Sequence, residues 1–253
     1  MSATGSPETC VVVGATGAMG SAITSTLVAK GFRVVAVARD VRALDELGAT
    51  SDLIVACPAD IGSDDSVATI KQAISGPVRL AVFAAGLPVR GSVDAIEPSL
   101  LAVAANIKVA GTVRLLHAVR DHLVPGSRFV AIAGSLGIEP GPLDAGPGTA
   151  NAALLNLMRQ ISLLYGPQGV TTHTIAPGPI DTPRLRALIE TQAAESGTPV
   201  DELWDRYRAK TSLGRLPTLD EIAWLVALLV EPEASVLHGA VLTADGGVRH
   251  GVL

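Results

Sequence analysis

From residue 9 almost to its end, the chain alternates short apolar runs with segments of helical period. This alternation limits the fold more than any other feature of the sequence. "CVVVGATG" is an apolar run that ends in glycines, and "AMGSAITSTLVAKG" follows with helical spacing and a closing Gly31. "FRVVAVARD" and "DVRALDELG" repeat the pattern. "SDLIVACPAD" gives a third apolar run, and "SDDSVATIKQAIS" then opens with Ser and Asp, which are N-cap residues. "VRLAVFAAG", "SRFVAIAGS", "GVTTHTIAPG" and "GAVLTADGG" bring the total to about seven strands. Helices are expected between them in 99–123, as one helix or two broken near Gly111, and in "ANAALLNLMRQISLLYG" and "LDEIAWLVALLV". Apolar strands each followed by a helix predict an α/β fold with one doubly wound parallel sheet. Ligands of such sheets bind beyond the C-terminal ends of the strands. All the motifs below fall at those ends.

A length of 253 residues suits a single α/β domain. The 48% apolar content suits a sheet covered on both faces, with a further face for self-association. A net charge of −5 without a Lys or Arg run argues against nucleic acid, and 3% aromatic residues argue against a stacking platform. Cys10 and Cys57 fit no metal spacing and suit a reduced, cytoplasmic protein. "MSATGSPET" has no secretory pattern, so residues 1–8 are expected to form a disordered leader before a domain over 9–253. The longest apolar run, "IAWLVALLV", is too short to span a bilayer, and no membrane partner is expected.

Gly14, Gly17 and Gly20 form G-x-x-G-x-x-G between the first strand and the first helix. Glycines there allow a tight turn and let the backbone approach a pyrophosphate, which then meets a helix N-terminus. At the end of strand two, Arg39 precedes Asp40. An acid at that place favours a free ribose 2′-hydroxyl and an arginine accommodates a 2′-phosphate, so the order favours NADP(H) over NAD(H).

Taken in order, these segments resemble the short-chain dehydrogenase/reductase family along nearly all of residues 9–249. The resemblance implies a Rossmann-like single domain that binds a nicotinamide dinucleotide. It implies cofactor contacts from Gly14, Thr16, Gly17, Met19, Gly20 and Arg39, and from Asp60 and Ile61 in "PADI". It also implies contacts from Ala85 and Gly86 in "FAAG", and from Pro177, Gly178, Ile180 and Thr182 in "APGPIDTP". "ANIKVAG" resembles the segment that carries the family's active-site Asn, here Asn106. "GRLPTLDEIAWLVALLV" with "HGAVLTADGG" resembles the family's C-terminal signature. Homodimers or homotetramers are the family's usual assemblies.

The resemblance fails at the chemical end. Family members pair a Ser after strand five with Tyr-x-x-x-Lys at the start of the next helix. A phenol with pKa near 10 needs a nearby ammonium to act as an acid at neutral pH. This chain has two tyrosines, Tyr165 and Tyr207, and four residues after them stand Gly169 and Thr211. The family's Tyr and Lys places fall on Pro147 and Asn151 of "PGTANAAL". Pro147 suits a first helical turn but donates no proton. The Ser place falls on Gly134 or Ser135, with Ser135 preferred. "FAAG" lacks the family's two Asn, and Ala18 stands at its second glycine.

Candidate substitutes are Asp144 and Glu139 on the preceding loop, because a desolvated carboxyl acts as an acid or base. Asn106 and Asn151 together are candidates for holding a carbonyl oxygen or a water chain. His173 is expected to be a structural residue of strand six, and Tyr165 a packing or interface residue. Residues 184–212 are expected to form a substrate lid. Trp204 and Tyr207 there share a helix face, either to close over an apolar ligand or to pack the lid. Arg184, Arg186, Arg206 and Arg208 lie in the same stretch.

Three functions follow. The first is an NADP(H)-dependent oxidoreductase acting on a small, apolar carbonyl or enone-like substrate through a substitute relay. The second is a non-redox lyase, isomerase, dehydratase or cyclase on the same scaffold. The third is a catalytically silent subunit. The sequence identifies neither the substrate nor the pathway.

Overall fold

The computed structural model describes residues 7–87, 89 and 91–251. Most of the leader expected over 1–8 lies outside the described residues. Seven parallel strands form one sheet in the order β3-β2-β1-β4-β5-β6-β7. The strands are β1 (Thr9–Val13), β2 (Arg33–Ala38), β3 (Ile54–Pro58), β4 (Val78–Phe83), β5 (Leu123–Ile132), β6 (Thr171–Pro177) and β7 (Val241–Ala244). The order reverses at β1 and β4, which opens a crevice at their C-terminal ends.

Side chains alternate across each strand, so one face carries Val11, Val35, Phe83, Phe129 and Ala131. That face packs against the side of the molecule that holds Leu115, Leu154 and Met158. The other face carries Val12, Val34, Val82, Val130 and Ile175, under Ile23, Leu27 and Val226. The helices of the first layer are α3 (Ser66–Ala73), α4 (Pro98–Ala105), α5 (Gly111–Val119) and α6 (Ala145–Tyr165); those of the second are α1 (Ala18–Ala29), α2 (Val41–Gly48) and α9 (Leu219–Leu228). Between β6 and α9 stand α7 (Pro183–Ser196) and α8 (Val200–Ala209), which pack through Leu185, Ile189, Leu203 and Leu216.

Two boundaries differ from the sequence reading. The helix expected from "ANAALL" starts five residues earlier, at Ala145, because Pro147 is compatible with a first turn. The segment 98–119 does not break at Gly111. It stays helical and widens into a π-helical turn over Asn106–Ala110. The stretch Pro98–His122 is long and apolar enough to cross a membrane by length and composition. Here it packs on the sheet through Leu115, Ala118 and Val119.

Buried polar groups tie the far end of the sheet. Arg128 donates to the carbonyls of Leu229 and Glu231, at 3.0 and 3.3 Å, and to Ser235 Oγ at 3.1 Å. His173 Nδ1 donates to Leu237 O at 3.1 Å, which leaves Nε2 to accept from the Thr171 hydroxyl at 3.1 Å. These bonds fix a neutral imidazole, and burial pushes its pKa down to about 4. The structural role expected for His173 is the one observed.

Candidate functional site

The glycine turn is closed against the end of β4. Gly14 has φ +82°, and a Cβ there would sit 2.8 Å from the Ala84 carbonyl oxygen. A Cβ on Gly20 would overlap the Gly14 carbonyl. These two positions therefore hold glycine for steric reasons alone. Gly17 is different: a Cβ there would meet only Gly14 O, at 3.3 Å. Gly17 is also the N-cap of α1 and brings no side chain to bond the helix N–H groups. The start of α1 therefore presents unspent donors and the positive end of a helix dipole. Thr16 and Met19 flank it, half-buried.

At the end of β2, Asp40 accepts the backbone N–H of Ala43 at 3.1 Å and caps α2. Arg39 beside it is exposed. At the end of β3, Asp60 Oδ1 accepts from Gly62 N at 2.9 Å, and Ile61 is buried. Ala85 and Gly86 follow β4, beside the glycine turn. Pro177 ends β6, and Gly178 packs so closely on Asp245 that a Cβ would sit 2.8 Å from the aspartate Cβ. Ile180 is buried, and the Thr182 hydroxyl caps α7 by accepting from Leu185 N at 3.2 Å.

The chemical end lies around the start of α6. Asn151 is 6% exposed, and its Oδ1 has no hydrogen-bond partner. Its Nδ2 lies 2.9 Å from where a Gly134 Cβ would stand. Gly134 thus faces Asn151, while the buried Ser135 opens a 3₁₀ turn over Ser135–Gly137. Pro147 occupies the third position of α6. The N-cap is Asp144, which makes no side-chain cap bond. The reason is partly Pro147: a capping side chain bonds the second or third N–H of a helix, and proline has none. Asp144 is held instead through the backbone, by a bridge to Gly91 and a bond from Ala145 N to Gly91 O at 3.0 Å. Glu139 is exposed and accepts a long bond from His250 N, at 3.4 Å.

Among the described residues, Asn106 and Asn151 make no hydrogen bond to each other. Asn106 donates from Nδ2 to Gly62 O at 2.9 Å, and its own carbonyl accepts from Gly111 N and Arg114 Nη1. The arginines of the α7–α8 segment are exposed and bonded to their neighbours. Arg186 pairs with Asp181, Arg206 with Glu202 and Arg208 with Asp205, and Arg184 donates to Leu87 O at 2.7 Å. Trp204 and Tyr207 pack against the α7–α8 core. A cavity of about 520 Å³ opens there, lined among others by Asp181, Glu190, Trp204 and Arg215. None of its lining residues comes from the ends of β4 or β5 or the start of α6.

The sequence reading passed over Lys108. This residue is 5% exposed, and its Nζ donates to Ile132 O, at the end of β5, at 2.9 Å. The available signal was a single charge inside the apolar run "LLAVAANIKVAGTV".

A family model described as enoyl-(acyl carrier protein) reductase matches residues 14–249. The chain is 37% identical to Protein MoaE of Klebsiella aerogenes over 119 residues, 47% of this chain and 46% of that protein. It is 26% identical over 244 residues to an uncharacterized short-chain type dehydrogenase/reductase of Sinorhizobium fredii, 94% of this chain and 43% of that protein. The chain spans less than half the length of either relative. The crystal structure of L-sorbose reductase from Gluconobacter frateurii, complexed with NADPH and L-sorbose, superposes with a TM-score of 0.91 at 18% identity, covering 98% of each chain. At that identity the likeness concerns the fold.

Proposed function

Because the chain belongs to the short-chain dehydrogenase/reductase family, we propose that it is an NADP(H)-dependent reductase of small, apolar conjugated carbonyl compounds. The reading is supported by one observation: Gly14 and Gly20 leave no space for a Cβ in the turn before α1, while by the family resemblance Pro147 and Asn151 fall at the places of the phenol and ammonium of an ordinary carbonyl reductase.

The residues fit such a cofactor. Gly14, Gly17 and Gly20, with Thr16 and Met19, would hold its pyrophosphate at the uncapped start of α1. Asp40 is engaged as a helix cap, which leaves Arg39 to meet a 2′-phosphate. Asp60 and Ile61 would border the adenine, with Ala85 and Gly86 beneath the nucleotide. Pro177, Gly178, Ile180 and Thr182 would line the nicotinamide. The orphaned Asn151 Oδ1 would accept from a ligand hydroxyl. When bound, the cofactor supplies hydride.

The substrate class follows from the missing acid. Loss of general acid catalysis costs about 10²–10⁴-fold in rate. A ketone builds alkoxide charge and suffers fully. A conjugated carbonyl delocalises the charge as an enolate and suffers less. Residues 184–212 act as the substrate lid in this reading, and self-association uses the exposed Leu100, Leu101, Leu163 and Leu164. Cytoplasmic placement belongs to the same proposal.

The test is NADPH consumption with enones, quinones and simple ketones side by side. Turnover of enones ahead of ketones supports the proposal, and no turnover across the panel overturns it. Asp144 motivates a second reading, a non-redox lyase or isomerase, because its carboxylate is spared from capping. That reading requires product without net cofactor oxidation, and activity lost in Asp144→Asn.

A further inference from the structure

Lys108 is the one lysine buried in the described core, and it sits at the chemical end. The π-helical turn over Asn106–Ala110 shifts the helix register there and carries its side chain across the ends of β4 and β5. The amine lies 5.9 Å from the ring centroid of Phe83, the last residue of β4, and bonds the carbonyl of Ile132, the last of β5. Ammonium has three donors, and one is spent. Among the described residues no carboxylate forms an ion pair with it, and the positive charge of Arg184 disfavours its charged form further.

A buried cation without a counter-charge is costly to keep, and buried charges are ordinarily paired. Lys108 reaches the segment after β5 from one side, and Asn151 reaches the same segment at Gly134 from another. One presents surplus donors and the other a donorless acceptor.

We propose that Lys108 is the catalytic cation of this site, and that its ammonium holds and protonates the enolate oxygen formed when a conjugated carbonyl compound is reduced. This inference rests on the reductase reading above. Hydride forms a C–H bond at the β-carbon of the substrate, and the π pair moves through to the carbonyl oxygen. An N–H bond of Lys108 then breaks, the proton passes to the enolate, and the amine regains a proton from solvent. The substrate gains two electrons, which the reduced nicotinamide loses. Burial, with help from Arg184, lowers the amine's pKa to about 8, which suits a proton donor at neutral pH.

The experiment uses the full chain, an acidic nitrophenol that stays ionised throughout, and Lys108→Met. Nitrophenolate mimics the enolate oxygen, and its absorbance reports binding without turnover. The wild type should bind it about tenfold more tightly than Lys108→Met, which should keep its melting temperature because it removes an unpaired buried charge. In the wild type alone, affinity should fall as pH rises through about 8, so the proposal stays testable if the variant does not fold. Enone reduction should fall about 10²–10⁴-fold in Lys108→Met. Equal phenolate binding in the variant, or a flat pH profile in the wild type, overturns the role of Lys108. Wild-type turnover that is indifferent to Lys108 also overturns it while leaving the reductase reading intact. Absence of wild-type turnover overturns the reductase reading, and the phenolate measurements then decide for Lys108 alone.

Discussion

Asn151 turns its amide nitrogen toward Gly134 and leaves its carbonyl oxygen buried without a donor. An unsatisfied buried acceptor costs about 1–3 kcal/mol, so the free protein keeps this group at some expense. Asn151→Leu removes the acceptor. It should leave thermal stability unchanged or higher, while NADPH affinity falls about tenfold, or about 1.4 kcal/mol. Calorimetric titration beside a melting curve checks both. A drop in stability with affinity kept would mean that Asn151 only packs.

The glycines separate fold from binding. Gly20→Ala places a methyl on the Gly14 carbonyl and should destabilise the chain by about 1–3 kcal/mol. Gly17→Ala is milder: its methyl would press on the Gly14 carbonyl oxygen at 3.3 Å, which must give by a few tenths of an ångström, so this variant should lose less stability than Gly20→Ala. Its methyl nevertheless stands where a pyrophosphate approaches the start of α1, so nucleotide affinity should fall at least tenfold. Urea melts and nucleotide binding on the pair would sink the idea if both variants behaved alike.

Arg39 decides the cofactor. With Asp40 engaged at Ala43 N, the arginine is the residue left to meet a 2′-phosphate. A hydrogen bond to a charged group is worth about 1.5–3 kcal/mol, so Arg39→Ala should weaken NADPH by about 10- to 100-fold and leave NADH unaffected. Equal loss for both nucleotides, or none, contradicts this assignment.

His173 makes stability depend on pH. Its pKa is about 4 in the folded chain against an ordinary 6.5. Between these values the unfolded chain holds the proton and the folded chain does not. Stability from this group is therefore complete above about pH 6.5 and is lost as pH falls toward 4, by at most roughly 3 kcal/mol. Urea midpoints across that window should fall more steeply in the wild type than in His173→Gln. Parallel curves would exclude His173 as the cause.

The strands were legible because runs such as "VVAVA" and "FVAI" are apolar on both faces, which only a covered parallel sheet accommodates. The glycine turn was legible because Gly14 and Gly20 serve sterics that no other residue type meets. Asp40 beside Arg39 was ambiguous as a string; the structure shows Asp40 capping α2 through the Ala43 N–H. Asn106 was assigned by likeness, and the string could not show that its amide turns to Gly62. Lys108 stayed hidden because its placement depends on the π-helical turn, and one extra residue per turn leaves no pattern in composition or period. Trp204 and Tyr207 share a face as expected, but whether that face covers a ligand or a helix depended on how α7 packs.

Pro147 does more than leave out a phenol. By lacking an N–H at the third position of α6, it removes one of the two donors that a capping Asp144 carboxylate could bond, the other being Gly146 N. Replacing it with tyrosine would restore that N–H along with the hydroxyl, and so give Asp144 a new partner. Positions 144 and 147 are therefore coupled through the cap of α6. Such coupling means that a tyrosine at position 147 would change the surroundings of the Asp144 carboxylate as well as add a hydroxyl.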